Sequence, residues 1–211
     1  MSSLPLFSPL LGAARVIPVL TIEHVEQAVP LARALSAGGI SVIEVTLRTK
    51  AALKACEAIS HECPEVVLGV GTVLTPSQVG EARDAGARFL VTPGTSEKLA
   101  HALAESGLAA LPGAATVSEM VALMELGFHE MKFFPAEAAG GVDYLKSIAG
   151  PLAELKFCPT GGITPANAAT YLALGNVLCV GGSWITPKAA LAAGNWAEIT
   201  RLAAEAAHLG R

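Results

Sequence analysis

Aspartate is nearly missing from this chain. Only Asp84 and Asp143 occur in 211 residues, and both lie outside the apolar runs described below. The five histidines, His24, His61, His101, His129 and His208, fall at no metal-ligand spacing, and each reads as a surface or helix residue. A metal-dependent mechanism therefore lacks a ligand set, and neither a metal nor an organic cofactor is expected. Cysteine is scarce too: Cys56, Cys63, Cys158 and Cys179 form no CxxC pair and have no histidine at zinc spacing. They read as buried thiols of a reduced, cytoplasmic protein. Charged residues are 15% and aromatics 5% of the chain, against 52% hydrophobic residues. That balance excludes a disordered chain and predicts a large core built from aliphatics and alanine. Net charge is −4, with no block of lysine and arginine, which argues against general nucleic-acid binding.

The mean hydropathy, +0.53, raises the question of a membrane. Residues 157–187 carry no charge at all. However, Pro159, Gly161, Gly162, Pro165, Asn167, Asn176, Gly181 and Gly182 interrupt the stretch, so it does not read as one spanning helix. No basic region precedes the first apolar residues, so no secretory signal and no membrane partner are expected.

Short β-branched runs alternate with helical patterns from end to end. Eight such runs lie at 16–20, 40–45, 66–70, 88–91, 108–111, 130–134, 155–158 and 177–180. Their spacing suits one strand, one loop and one helix per unit. Thr75-Pro76-Ser77-Gln78 and Thr116-Val117-Ser118-Glu119 read as capping boxes, and Thr164-Pro165 and Thr186-Pro187 as further helix starts. Gly38-Gly39, Gly86, Gly107, Gly127 and Gly175 sit where helices should stop. Pro30 should either kink the first helix or mark its start. No Gly/Pro/Ser-rich linker divides the chain. The expectation is one domain over residues 1–211, a single (β/α)8 TIM barrel, with a short N-terminal helix or arm up to about residue 14. A doubly wound open sheet is the alternative.

In parallel barrels the chemistry sits at the C-terminal strand ends. Glu44 is a carboxylate inside an apolar run, and Arg48 follows on the exit loop; together they are either site residues or a buried ion pair. Lys132 is a lone amine among Met131, Phe133 and Phe134, and alternation puts it on the inner face with Glu130 and Phe134. It either snorkels to water or serves as a nucleophile. Glycine clusters follow the third, seventh and eighth runs: Gly69-Val70-Gly71-Thr72, Thr160-Gly161-Gly162 and Gly181-Gly182-Ser183. The last two would let backbone N–H groups approach an anion, where barrels often hold phosphate.

The motifs Val42-Ile43-Glu44-Val45-Thr46-Leu47-Arg48-Thr49, Gly69-Val70-Gly71-Thr72-Val73-Leu74, Met131-Lys132-Phe133-Phe134-Pro135-Ala136-Glu137, Phe157-Cys158-Pro159-Thr160-Gly161-Gly162-Ile163 and Cys179-Val180-Gly181-Gly182-Ser183-Trp184 together resemble the 2-keto-3-deoxy-6-phosphogluconate aldolases, also described as 4-hydroxy-2-oxoglutarate aldolases. The resemblance implies a class I aldolase of the Entner–Doudoroff pathway that releases pyruvate and glyceraldehyde 3-phosphate, with hydroxyoxoglutarate cleavage besides. It implies Lys132 as the Schiff-base lysine and Glu44 as the proton carrier. It gives the pyruvyl carboxylate to Arg48 and Thr72, the pocket walls to Pro93 and Phe134, and the phosphate to Thr160, Gly161, Gly162, Gly182 and Ser183. It also implies a homotrimer. Related galactonate enzymes tend to carry an arginine just after the first strand, where this chain has Thr21, which leans toward the gluconate substrate. The residue types suit the chemistry: an imine accepts the electrons of the broken carbon–carbon bond, and a carboxylate nearby moves the protons. The alternatives are the galactonate aldolase, an isomerase or decarboxylase using Lys132 only as a cation, and a non-catalytic phosphosugar-binding barrel.

Overall fold

The computed structural model describes residues 4–13 and 15–209. Strands and helices alternate in the order β1 (Val16–Leu20), α1 (Ala28–Ala37), β2 (Val42–Thr46), α2 (Ala52–Glu62), β3 (Val67–Gly71), α3 (Pro76–Asp84), β4 (Phe89–Val91), α4 (Glu97–Glu105), β5 (Ala109–Leu111), β6 (Gly113–Ala114), α5 (Val117–Glu125), β7 (Glu130–Phe133), α6 (Gly141–Ile148), β8 (Lys156–Pro159), α7 (Pro165–Leu172), β9 (Val180–Gly182), α8 (Lys188–Ala192) and α9 (Trp196–Ala207).

The helices start and stop for local reasons. The Thr75 hydroxyl accepts from the Gln78 amide while the Gln78 side chain accepts from Thr75 N, which closes the first turn of α3. Thr116 and Glu119 repeat the device at α5. There the amide of Ala115, foremost, holds the Glu119 carboxyl below its ordinary value, helped by Thr116. Gly86 and Gly127, both at φ +91°, take the left-handed turn out of α3 and α5. Pro30 lies in the first turn of α1, where no intrahelical N–H is needed, so it belongs to a helix start and makes no kink. One expected cap fails: Pro187 itself is the N-cap of α8, and the Thr186 hydroxyl instead donates to Ser183 O at 3.4 Å.

Every strand pairing is parallel, as βαβ units require. The strands form a curled six-stranded sheet in the order β5-β4-β3-β2-β1-β9 and a three-stranded sheet, β6-β7-β8. This departs from the expected single ring of eight, and the two interruptions have separate causes. The fifth run continues past Leu111 but is split by Pro112, which has no N–H to donate. Between β8 and β9 only the bridges Phe157↔Val177 and Thr160↔Gly181 form. Here the Arg15 guanidinium takes the carbonyls of Leu172, Val177 and Leu178, which draws that backbone into side-chain bonds. The last strand consequently lies at Val180–Gly182, later than the expected 177–180. Gly181 and Gly182 are strand residues, as are Gly69 and Gly71 of β3.

Alternation along each strand sorts two layers. Ile43 and Val45 of β2 pack with Leu31 and Leu35 of α1 in the helix-facing core. Val42 faces the other way, into an inner cluster with Ile17, Phe89, Val91, Leu111, Cys158 and Cys179. The expected N-terminal helix or arm is a 3-10 turn, Ser8–Leu10; residues 1–3 and Ala14 of that segment lie outside the described residues. Phe7, fully buried, reaches the inner cluster and meets the Phe89 ring at 4.9 Å. Glu130, the buried first residue of β7, holds the segment in place by accepting from the amides of Phe7 and Ser8. The N-terminal ends of the strands are thus plugged by the chain's own first segment. Among the described residues no helix is long and apolar enough to cross a membrane.

Phe7→Ala should lower the unfolding free energy by about 3–5 kcal/mol in urea denaturation, because it empties a filled core position. A loss under about 1 kcal/mol would show that the plug adds little to the inner core.

Candidate active site

β2 and β7 carry the two charges that the inner face must accommodate. Lys132 Nζ lies 3.3 Å from Glu44 Oε1, and the two side chains are 3% and 4% exposed. Glu44 therefore pairs with Lys132, and the alternative Glu44–Arg48 ion pair does not form. Desolvating two charges is costly unless each compensates the other, so neither side chain is neutral filler at this depth. β3 supplies the space. Gly71 lies beside Thr46 in the ladder, and a Cβ there would collide with the Glu44 carboxylate. Gly69 makes the same concession to the Phe89 ring.

Lys132 Nζ also lies 5.5 Å from the centre of the Phe134 ring, a cation–π distance. Phe134 connects the buried pair to a cavity of about 740 Å³ that opens at the C-terminal strand ends. Of the residues singled out from the sequence, Arg48, Phe134, Thr160, Gly161, Gly162, Gly182 and Ser183 line this cavity. Thr72 joins through Arg48, whose Nε donates to its hydroxyl at 3.2 Å. Thr72 is the one non-glycine residue at positive φ among the described residues, at +57°. A β-branched residue in that region stores roughly 1–3 kcal/mol of strain, which the surrounding structure sustains while aiming the hydroxyl at Arg48. Pro93 is not on the cavity wall; its backbone packs on Gly113, which pairs with Lys132 in the ladder. Sequence reasoning passed over Glu23, His24, Gln27 and Lys188, which stand on the rim. Their position just after β1 and at the start of α8 was the available signal. His24, read as a surface residue, is indeed exposed, but on this rim.

The glycine turn after β8 is held by its carbonyls. Thr160 O accepts from Ala136 N at 2.8 Å, Gly161 O from Glu137 N at 3.1 Å, and Gly162 O from Asn167 Nδ2 at 3.1 Å. Gly161 and Gly162 sit at φ +99° and +79°, a backbone that side chains resist. Among the described residues no protein group accepts from the amides of Gly162 or Ser183. Two free N–H groups on a cavity wall are suited to an anion. The Trp184 ring packs directly on Gly182, leaving no room there for a Cβ.

Cysteine chemistry does not compete for this site. All four thiols are free and buried. Burial pushes Cys56 up to about 12. Cys179 is raised by its hydrogen bond with Cys158 first and by burial second. Among the described residues no group of three or more His, Cys, Asp or Glu side chains could hold a metal ion.

A buried amine–carboxylate pair beneath a glycine-lined cavity, at the C-terminal ends of parallel strands, has the build of an α/β enzyme site that works without thiol chemistry. The chain belongs to the KDPG and KHG aldolase family, whose model matches residues 8–202. It is 52% identical to the KHG/KDPG aldolase of Escherichia coli K12, over 93% of this chain and 92% of that one. Among solved structures it superposes with TM-score 0.91 on the KDPG aldolase of Legionella pneumophila, captured with pyruvate as a covalent carbinolamine; identity is 48%, covering 92% of this chain and 95% of that one. The 2-keto-3-deoxy-6-phosphogluconate aldolase of Zymomonas mobilis with 3-phosphoglycerate superposes at TM-score 0.89, with 44% identity over 94% of this chain and 93% of that one.

Gly71→Ala should destabilise the protein by about 1–3 kcal/mol, because the added methyl forces Glu44 away from Lys132. Gly80 of α3 has open space around it. Gly80→Ala should instead stabilise by about 0.4–1 kcal/mol. Parallel urea titrations check both signs.

Proposed function

We propose that this chain is a class I aldolase that cleaves 2-keto-3-deoxy-6-phosphogluconate to pyruvate and glyceraldehyde 3-phosphate through an imine on Lys132. The observation that carries the reading is the Lys132–Glu44 contact, 3.3 Å and almost wholly buried, under a cavity with free backbone amides. The Lys132 ammonium gives a proton to Glu44, the free amine attacks the C2 ketone to give a carbinolamine, and Glu44 returns the proton to the departing hydroxyl, so that water leaves and the iminium forms. Glu44 takes the proton of the C4 hydroxyl, directly or through water. The C3–C4 bond then breaks, the aldehyde leaves, and its electron pair is delocalised into the iminium as an enamine. Protonation at C3 and hydrolysis release pyruvate and restore the amine. Moving charge between a fixed amine and a fixed carboxylate in a dry site needs little reorganisation.

Arg48, positioned by Thr72, holds the carboxylate of the keto acid; a guanidinium suits that planar anion. The amides of the Gly161–Gly162 turn and of Ser183, with Thr160 and Gly182 beside them, receive the phosphate. Phe134 walls the pocket, and Pro93 supports it from behind the β6–β7 ladder. The same pair of catalytic groups serves 4-hydroxy-2-oxoglutarate, which yields pyruvate and glyoxylate. The carbinolamine with pyruvate in the Legionella protein and the phosphorylated ligand of the Zymomonas protein support this reading. Thr21 lines the cavity without adding a charge, which supports the gluconate over the galactonate substrate.

The wider reading is a cytoplasmic enzyme of the Entner–Doudoroff pathway, one domain over the whole chain. Its two sheets form the arcs of one eight-stranded barrel joined at Pro112 and at the Phe157 and Thr160 bridges. It works as a homotrimer; Leu6, Leu74, Val117 and Val121 are exposed apolar residues available for association.

Pyruvate with borohydride should inactivate the enzyme and leave one stable adduct per chain, mapped to Lys132. Lys132→Ala should abolish both adduct and turnover. An adduct on another lysine would refute the assignment. Glu44→Gln should lower kcat by ~10²–10⁴-fold. Arg48→Ala should act chiefly on KM for pyruvate in the reverse reaction. Gly182→Val should impair the phosphorylated substrate far more than hydroxyoxoglutarate; equal losses would assign Gly182 to folding.

A further inference from the structure

We propose that Glu137 and Tyr171 form a brace that sets the Gly161–Gly162 turn for the phosphate end of the substrate, making Glu137 a positioning residue for phosphorylated substrates. The inference rests on the phosphate reading of that turn. Tyr171 is fully buried on α7, and its hydroxyl donates to Glu137 Oε1. Glu137 itself is exposed, five residues beyond Lys132. It reaches the turn twice. Its amide holds Gly161 O at 3.1 Å. Its aliphatic stem lies under Gly162, where a Cβ would come within 2.5 Å of Glu137 Cγ and 2.7 Å of its Cβ.

A carboxylate beside an anion-binding turn needs a reason, because the two like charges repel. The geometry provides one. Tyr171 draws the Glu137 head toward Gly141, the first residue of α6: a Cβ there would lie 3.4 Å from Oε1 and 3.1 Å from the Tyr171 hydroxyl. The charge is turned toward a helix N-terminus, where it is favoured, while the stem faces the turn. Burial first, and the Glu137 carboxylate second, raise the Tyr171 hydroxyl above its ordinary value, so it remains a donor at neutral pH. The brace joins the strand of Lys132 to the helix that follows the turn, so it fixes the distance between the covalent end and the phosphate end of the substrate.

The experiment compares Glu137→Ala, Glu137→Gln and Tyr171→Phe on the phosphorylated keto acid and on hydroxyoxoglutarate, with urea denaturation of each variant. Glu137→Ala and Tyr171→Phe should raise KM for the phosphorylated substrate about tenfold, with kcat and the hydroxyoxoglutarate KM moving less than about threefold. The double variant Glu137→Ala/Tyr171→Phe should be no worse than the worse single one. Glu137→Gln still accepts from Tyr171 and should retain near-native KM. Equal losses on both substrates, additive effects, or no effect in folded Glu137→Ala would overturn the brace. Gly182→Val separates the two readings. If it selectively impairs the phosphorylated substrate while the Glu137 and Tyr171 variants do not, the cradle stands and the brace fails. If a Gly182→Val protein that urea denaturation shows to be folded does not discriminate between the substrates, the phosphate reading fails and the brace falls with it; equal losses in an unfolded variant assign Gly182 to folding, and the Glu137 and Tyr171 variants then decide the brace alone.

Discussion

A lysine and a glutamate buried 3.3 Å apart constrain everything around them. Each charge at this depth is tolerable only because the other is present, so their strands must be held in register to a fraction of an ångström. β2 is a central strand fixed on both sides, through Val19↔Glu44 and Glu44↔Gly69. β7 is fixed likewise, through Gly113↔Lys132 and Lys132↔Cys158. The two carriers belong to different sheets, so the ion pair spans the inner space between them. Gly71 is the complementary requirement: the carboxylate occupies volume that any side chain at that position would claim. The charged pair and the bare strand beside it form one device.

The outer part of the site uses the opposite strategy. Where the inner pair is fixed by backbone ladders on both flanks of its strands, the turn after β8 is fixed through its carbonyls, which leaves amides for solvent or ligand. Arg48 is exposed and, among the described residues, braced by a threonine in an unfavourable backbone region. The floor is therefore rigid and dry, and the mouth is polar and open.

Much of this was legible in the residues. A glutamate and a lysine inside otherwise apolar strands stand out because burial of either needs a cause; alternation gives the inner face of Lys132, but the partner of Glu44 stood open with Arg48 until the strands were brought together. The strand–helix alternation follows from period, and the starts of α3, α5 and α7 from the threonine caps at Thr75, Thr116 and Thr164; the unbroken ring of eight does not. The failures are physical as well. Gly181-Gly182 has the composition of a turn, yet the two residues extend a strand whose neighbours tolerate no side chain. Arg15 looks like any surface arginine until the chain brings back three carbonyls from residues 172–178 to meet it. The Thr186 cap was read from a Thr-Pro pair, but the backbone gives that position to proline. Pro93, given to the pocket wall by resemblance, packs its backbone on Gly113, a contact that no local pattern announces. Glu137 and Tyr171 meet across 34 residues, with no periodicity to announce it.

The plug at the N-terminal strand ends has a consequence for how the molecule is made. Phe7 and Ser8 leave the ribosome well before their anchor, Glu130; the separation is 123 for Phe7. β1 waits longer still for its outer partner, since Val16 pairs with Val180. A nascent chain that stops short of Glu130 would therefore hold Phe7 and Phe89 without the carboxylate that anchors the segment. Long-range closure of this kind slows folding and leaves partly made chains prone to association. Docking of the Phe7–Ser8 segment on Glu130 is thus a contact of long sequence separation, of the kind that closes after local structure has formed.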